Sequence, residues 1–396
     1  MTPPPVAGGD PGRYEEALAQ WFLENTFFLD FVYRNPPERG GMGELGDAVV
    51  LFEDAAVMVQ IKAQSSPRDP MLWAKKNLRK AVRQLKHTNR KLFDGHVHEL
   101  INPIFGKTSF DPARYASRFG IIVLAQMAQP FDAEKAFPEL GTLPFPVHVF
   151  SLDDFVLLLD RFNTAGDLIP YLEFRHDMRA TLDRKVHAEA NTVKRVADQI
   201  ENFLPLVRPQ ITSEVLERTV RYFRLTASGE VSRSDDWRYS LTIDDMIARI
   251  HDRDPSLDWN TRGNPSDLGI ISAGLAWLNR QRRIALGKRL HEFCEAAALD
   301  GKDHYFSHFQ PGTGVARVFL VTARAREDRV AILHILVSAA LAKYNAQKAL
   351  GVATEPLGNG RSYDFVVREG QVSPEERQAL EEGKGLFSYE HEQLFK

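Results

Sequence analysis

Apolar residues recur along the first third of the chain with two different periods. From 13 to 33, Leu18, Trp21, Phe22, Phe28 and Val32 fall close to three or four apart, which predicts a helix with one buried face and bulky aromatics crowding its last turns. Asn35-Pro36-Pro37 and then Gly40, Gly41 and Gly43 end it. Between Gly46 and Ala63 the period shortens to that of strands. Two β-prone runs, 48–52 and 56–62, joined by Glu53-Asp54-Ala55, predict a hairpin. After a Ser-Pro-Asp-Pro breaker ending at Pro70, Leu78, Val82 and Leu85 mark a helix over 72–93, followed by strands at 120–125 and 147–150.

Helical patterning returns at 153–160 and 165–181, and continues from 187 to about 223 with a break at Pro205 and Pro209. Segment 226–268, rich in Ser, Asp, Arg, Gly and Asn, predicts a connector with one short helix near 243–250. An amphipathic helix is expected over 267–297. The remaining residues read as strand (316–323), helix (328–349), strand (351–354) and strand (363–367). The expected fold is α/β, with a mixed sheet flanked by helices, a helical middle and a second α/β domain. The boundaries are a leader over 1–12, rich in proline and glycine and unlike a signal peptide, then domains at 13–180, 181–265 and 266–396.

Composition narrows the functions available. With 50 basic and 53 acidic side chains, a net charge of -3, the chain is no general polycation, so any affinity for nucleic acid must be local. One cysteine, Cys294, excludes an internal disulfide and a thiolate zinc cluster made by this chain alone, and fits a reducing cytoplasm. The apolar run 330–341 contains His334 and Ser338 and is too short to span a bilayer, so no membrane association is expected.

That local charge exists. Between Arg68 and Lys91 stand nine basic residues against one acid, Asp69, a local net of +8. Lys75, Lys76, Arg79, Lys80, Arg83 and Lys86 belong to it, and Lys76, Lys80 and Arg83 share a helical face able to follow a phosphate backbone without reading bases. Just upstream, alternation along the second hairpin strand sets Gln60 and Lys62 on one face with Met58, opposite Val57, Val59 and Ile61. The apolar triplet is expected inside and the polar pair presented. Antiparallel pairing about the turn brings Asp47 near them. A carboxylate, an amide oxygen and an ammonium group in one place suit phosphodiester hydrolysis, because magnesium takes hard oxygen ligands and a neighbouring lysine can orient the attacking water or stabilise its charge.

The string Gly43-Glu44-Leu45-Gly46-Asp47-Ala48-Val49-Val50, followed by Val59-Gln60-Ile61-Lys62-Ala63, resembles the hairpin of the PD-(D/E)xK, or restriction-endonuclease-like, nuclease superfamily, with glutamine in place of the middle acid and Gly46 where proline is usual. The resemblance implies an endonuclease using Mg2+ or Mn2+, with Asp47 and Gln60 as metal ligands, Lys62 as the catalytic lysine and a glutamate from the preceding helix, Glu16 in preference to Glu24. Glu16 ahead of Trp21 and of Phe27-Phe28-Leu29-Asp30-Phe31-Val32-Tyr33, together with Leu168-Ile169-Pro170-Tyr171-Leu172 and Arg175, is similar to a group of uncharacterised bacterial nuclease-like proteins. It implies an effector in defence against phage or plasmids, acting on DNA in preference to RNA, with a homo-oligomer or a defence-system partner. The alternative is a weakly active or inactive nucleic-acid-binding module, gated by a partner through the C-terminal domain.

Other polar features read as ordinary. His96-Val97-His98 has no third ligand nearby and reads as loop, Glu44 as a solvated acid, and Gly312 to Gly314 and Gly358 to Gly360 as turns. Against the catalytic reading stands the ordinary use of lysine on edge strands to resist unwanted pairing.

Overall fold

A computed structural model describes residues 19, 21, 23, 31–33, 47–63, 69–95, 97, 99–102, 106–125, 137, 140, 143–181, 221–223, 225–231, 234–251, 265–356 and 362–382. The leader at 1–12, Glu16, Glu24, Arg68, His96, His98, most of the helical stretch at 187–223 and Gly358 to Gly360 lie outside them. The chain divides into two compact units, 1–234 and 235–396.

The first unit is built on a five-stranded mixed sheet: β1 (Val32–Tyr33), β2 (Ala48–Phe52), β3 (Ala55–Lys62), β6 (Ser117–Leu124) and β7 (Val147–Ser151), side by side in that order. The β1–β2 and β2–β3 pairs are antiparallel, whereas β3–β6 and β6–β7 are parallel. The β2–β3 hairpin turns through Glu53 at φ 51°, a left-handed conformation that the two-residue connection requires. Between β3 and β6 come α1 (Pro70–Phe93) and a small hairpin, β4 (Glu99–Asn102) with β5 (Gly106–Ser109). Helix α1 begins where Pro70 supplies a preset φ and where the Asp69 carboxylate accepts from Leu72 N at 2.9 Å. Its apolar stripe of Trp73, Leu78, Ala81, Val82 and Leu85 buries against Val49, Leu51, Met58, Ile122, Leu124 and Val149 of the sheet. The opposite sheet face, with Val57, Val59, Ile61, Ile121, Val123 and Phe150, is equally buried, and α2 (Leu152–Arg161) packs against β6 and β7. Helix α3 (Ala165–Thr181) follows.

The second unit holds a four-stranded mixed sheet in the order β11 (Tyr363–Glu369), β10 (Lys348–Thr354), β9 (Val315–Val321), β8 (His304–Gln310). Helix α7 (Arg326–Tyr344) makes the crossover between parallel β9 and β10 and covers one face with Leu333, Leu336, Val337 and Ala340. Ahead of the sheet run α4 (Ser240–His251), α5 (Pro265–Ala276) and α6 (Arg280–Asp300), and α8 (Pro374–Glu382) follows it. Arg280 and Arg283 of α6, both buried, share the Asp244 carboxylate at 2.5 and 2.7 Å. Gly287 lets α6 approach the preceding backbone, where an added Cβ would come within 1.9 Å of Tyr239 O.

Several expectations change. The helix expected to reach Tyr33 gives way to a strand at Val32–Tyr33, because aromatic and β-branched residues there pair with Val49 and Val50. The single helix expected over 267–297 is two, since the Asn279 side chain accepts from Arg282 N at 2.9 Å and caps a new start. The helix expected to run to 349 stops at Tyr344, with Asn345 left-handed at φ 48°. The chain is α/β, as expected, with a mixed sheet in each unit.

Candidate active site

Strand β3 decides where the polar pair lies. It runs in the interior of its sheet, between β2 and β6, so Gln60 and Lys62 do not stand on an edge and edge protection does not explain the lysine. Nor are they presented to solvent, as alternation alone suggested: Gln60 is 0% exposed and Lys62 9%. The reason is tertiary. Helix α1 covers the Met58 face as thoroughly as the other layer covers the Val57, Val59 and Ile61 face, and all eight residues of β3 are buried.

The hairpin register sets Ala48 opposite Val59, which carries Asp47 level with Gln60. Asp47 N donates to Val59 O at 3.3 Å, and its carboxylate Oδ2 accepts from Ile61 N at 2.5 Å. The carboxylate is thereby fixed against the strand, leaving Oδ1 outside that contact. Lys62 Nζ lies 3.7 Å from Asp47 Oδ2 and donates to Gln60 Oε1 at 3.4 Å and to Ile61 O at 2.7 Å. Three oxygens of different kinds therefore converge on one positive charge at the carboxyl end of β3. That end is also where parallel β6 and β7 finish, with Lys62 paired to Leu124 and Leu124 to Ser151. Open α/β sheets bind ligands beyond the carboxyl ends of their strands.

The donor set suits a hard cation. A carboxylate, an amide oxygen and a main-chain carbonyl from Asp47, Gln60 and Ile61 match the oxygen ligands that magnesium and manganese accept, although the three carry a single formal negative charge. Among the described residues no group of three or more His, Cys, Asp and Glu stands ready to hold a metal ion. Gln60 Nε2, buried, has no hydrogen-bond acceptor. A buried donor left without an acceptor costs the desolvation of that group.

Helix α1 supplies the long-range charge. Its 24 residues include eight lysines and arginines and no acid. Lys75, Lys76, Arg79, Lys80, Arg83, Lys86 and Arg90 are all exposed, whereas Lys91 is buried. His87, on the same helix, is held below its ordinary pKa by desolvation and then by Lys91 and Arg90, so it stays neutral at neutral pH. The helix thus shows water a mainly cationic face and shows the sheet an apolar one.

Among the described residues no helix is long and apolar enough to cross a membrane. Comparison with protein-family models, curated proteins and solved structures returned no match to this chain.

Proposed function

We propose that the N-terminal unit is a magnesium- or manganese-dependent endonuclease that hydrolyses phosphodiester bonds, with DNA as the preferred substrate. The observation that carries this reading is the convergence of Asp47, Gln60 and Lys62 at the carboxyl end of a central strand, beside a helix that exposes seven lysines and arginines and carries no acid. Asp47 and Gln60, with the Ile61 carbonyl, are the groups to hold the cation. A divalent cation bound there supplies neutralisation of phosphate charge and a lowered water pKa. Lys62 Nζ is the donor that orients the attacking water or holds a phosphoryl oxygen, and the cations of α1 fix the backbone without selecting sequence. Resemblance to the PD-(D/E)xK hairpin supports a bacterial defence effector with Glu16 as the additional acid, and the single cysteine fits a cytoplasmic protein. It also leaves room for a homo-oligomer or a partner protein.

The test is incubation of purified protein with plasmid, linear DNA, single strands and RNA in Mg2+ and in Mn2+, wild type against Lys62→Ala. Cutting by wild type and at least about a hundredfold less by the variant is expected, the size of effect typical of a positioned proton-transfer or charge-stabilising group. Equal cutting by both proteins rejects Lys62. A second reading, nucleic-acid binding with little or no cleavage, is favoured by the single carboxylate of the donor set and by the full burial of Gln60. Retained DNA binding without cutting in either metal would select it.

A further inference from the structure

The first turn of α1 carries two large apolar side chains in water: Leu72 is 65% exposed and Met71 45%, and they are the only large hydrophobics of the first unit, among the described residues, that stand out in this way. Their place on the helix is specific. Leu72 begins the row that continues through Lys76, Arg79, Arg83, Lys86 and Arg90 at alternating steps of four and three residues, so it stands in the middle of the cationic face and not at its border with the core.

Their place along the sheet follows from the crossover. Helix α1 joins parallel strands β3 and β6 and therefore runs back against them. Its far end is pinned over the start of β6, where the Arg118 guanidinium lies 3.8 Å from the Phe93 ring centre and Leu85 rests on Gly120. From Leu85 back to Leu72 the helix rises about 20 Å, while β6 from Gly120 to Leu124, the residue level with Lys62, covers only about 13 Å. The tip formed by Met71 and Leu72 therefore reaches the level of Lys62 or passes it, at the end of the sheet where Asp47, Gln60 and Lys62 meet.

We propose that Met71 and Leu72 form a wedge that enters the base stack of duplex DNA beside the phosphate held at Lys62. This rests on the nuclease reading and adds how the substrate is engaged. Apolar residues inserted at a base step unstack it and bend the duplex, and the unstacking energy is offset by the contacts that bending allows. The cations that follow select the occupant, although the Asp69 carboxylate caps the same turn: a polyanion is drawn to the row from Lys75 to Arg90, whereas an apolar protein partner would have to desolvate Lys75 and Lys76 beside the two side chains.

The experiment measures fluorescence and binding together, in EDTA so that nothing is cut. Short duplexes carrying 2-aminopurine at several positions are titrated with wild type, Met71→Ser, Leu72→Ser and the double variant. Because both side chains lie in water, these variants fold. A rise in 2-aminopurine fluorescence with wild type, lost in the double variant while affinity changes by less than about threefold, is expected, since the cations supply the affinity. Binding by wild type with no rise, or an equal rise with the double variant, overturns the wedge and leaves the nuclease reading standing. No binding to DNA by any of the four proteins, even at low salt, overturns both.

Discussion

Gln60 is the residue on which the strength of the site turns. Its Oε1 accepts from Lys62 Nζ at 3.4 Å, and its Nε2 is buried without an acceptor, so the side chain is half used. Replacing it with glutamate changes the volume little and adds the second negative charge that a divalent-cation site ordinarily has. The Mg2+ concentration needed for half-maximal cutting by Gln60→Glu is expected to fall on the order of tenfold. A magnesium titration of the cutting rate checks this, and an unchanged or higher requirement would remove Gln60 from the ligand set. Asp47 and Lys62 were legible as a pair with Gln60 because strand period and hairpin register are local properties of about fifteen residues. The burial of Gln60 and Lys62 was not legible. It comes from β6, some sixty residues later, pairing along β3 from Ser117 to Leu124, and from α1 closing over Met58. No local pattern distinguishes a half-exposed strand from one whose polar face is covered.

At the scale of elements, α1 shows how composition and packing separate on one helix. Leu78, Val82 and Leu85 set the buried stripe, and the basic residues fall on the remaining arc, so both its existence and its orientation could be read before any contact was known. The same row of cations yields a measurement that separates phosphate tracking from simple solvation. Substituting Lys76, Lys80 and Arg83 together with glutamine, which preserves helix propensity, should lower the slope of log affinity for DNA against log salt by about three, near one per lost phosphate contact. Binding isotherms at four or more salt concentrations give that slope, and an unaltered one would return the helix face to solvent. Other elements were less legible for reasons that differ. Strand β8 carries Tyr305, Phe306 and Phe309 on a half-covered edge, without the apolar run that marks a central strand. Helices α5 and α6 read as one because apolar spacing continues across Trp277 and Leu278, and the cap at Asn279 that divides them is a single side chain. The strand at Val32–Tyr33 was hidden by aromatics that suit either state until β2 supplies a partner.

The molecule as a whole has two units with separate sheets and separate cores, and that gives acid a selective point of attack. On β8, His308 stands directly opposite Arg317 of β9 and is 7% exposed. Desolvation first, then the charges of Arg317 and Arg282, push its pKa from 6.5 down to about 3. The imidazole is therefore neutral in the folded unit and must stay so. Between about pH 3 and 6.5 the unfolded chain binds a proton at this position that the folded chain does not, so stability rises with pH across that window. The contribution is fully present above 6.5 and is lost progressively as pH falls toward 3, amounting to about 2 kcal/mol between pH 7 and pH 5. Carboxylates elsewhere also weaken the protein in acid, so the informative quantity is a difference. In His308→Leu, the denaturant midpoint of the C-terminal unit should fall less steeply with pH than in wild type over that range. The transition of the N-terminal unit, followed by the fluorescence of its buried Trp73 in a protein whose other tryptophans are replaced by phenylalanine, should keep its wild-type pH dependence. Parallel pH dependences in wild type and His308→Leu would mean that the imidazole gains a counter-charge as it protonates. A shift shared by both transitions would mean that the two units unfold as one.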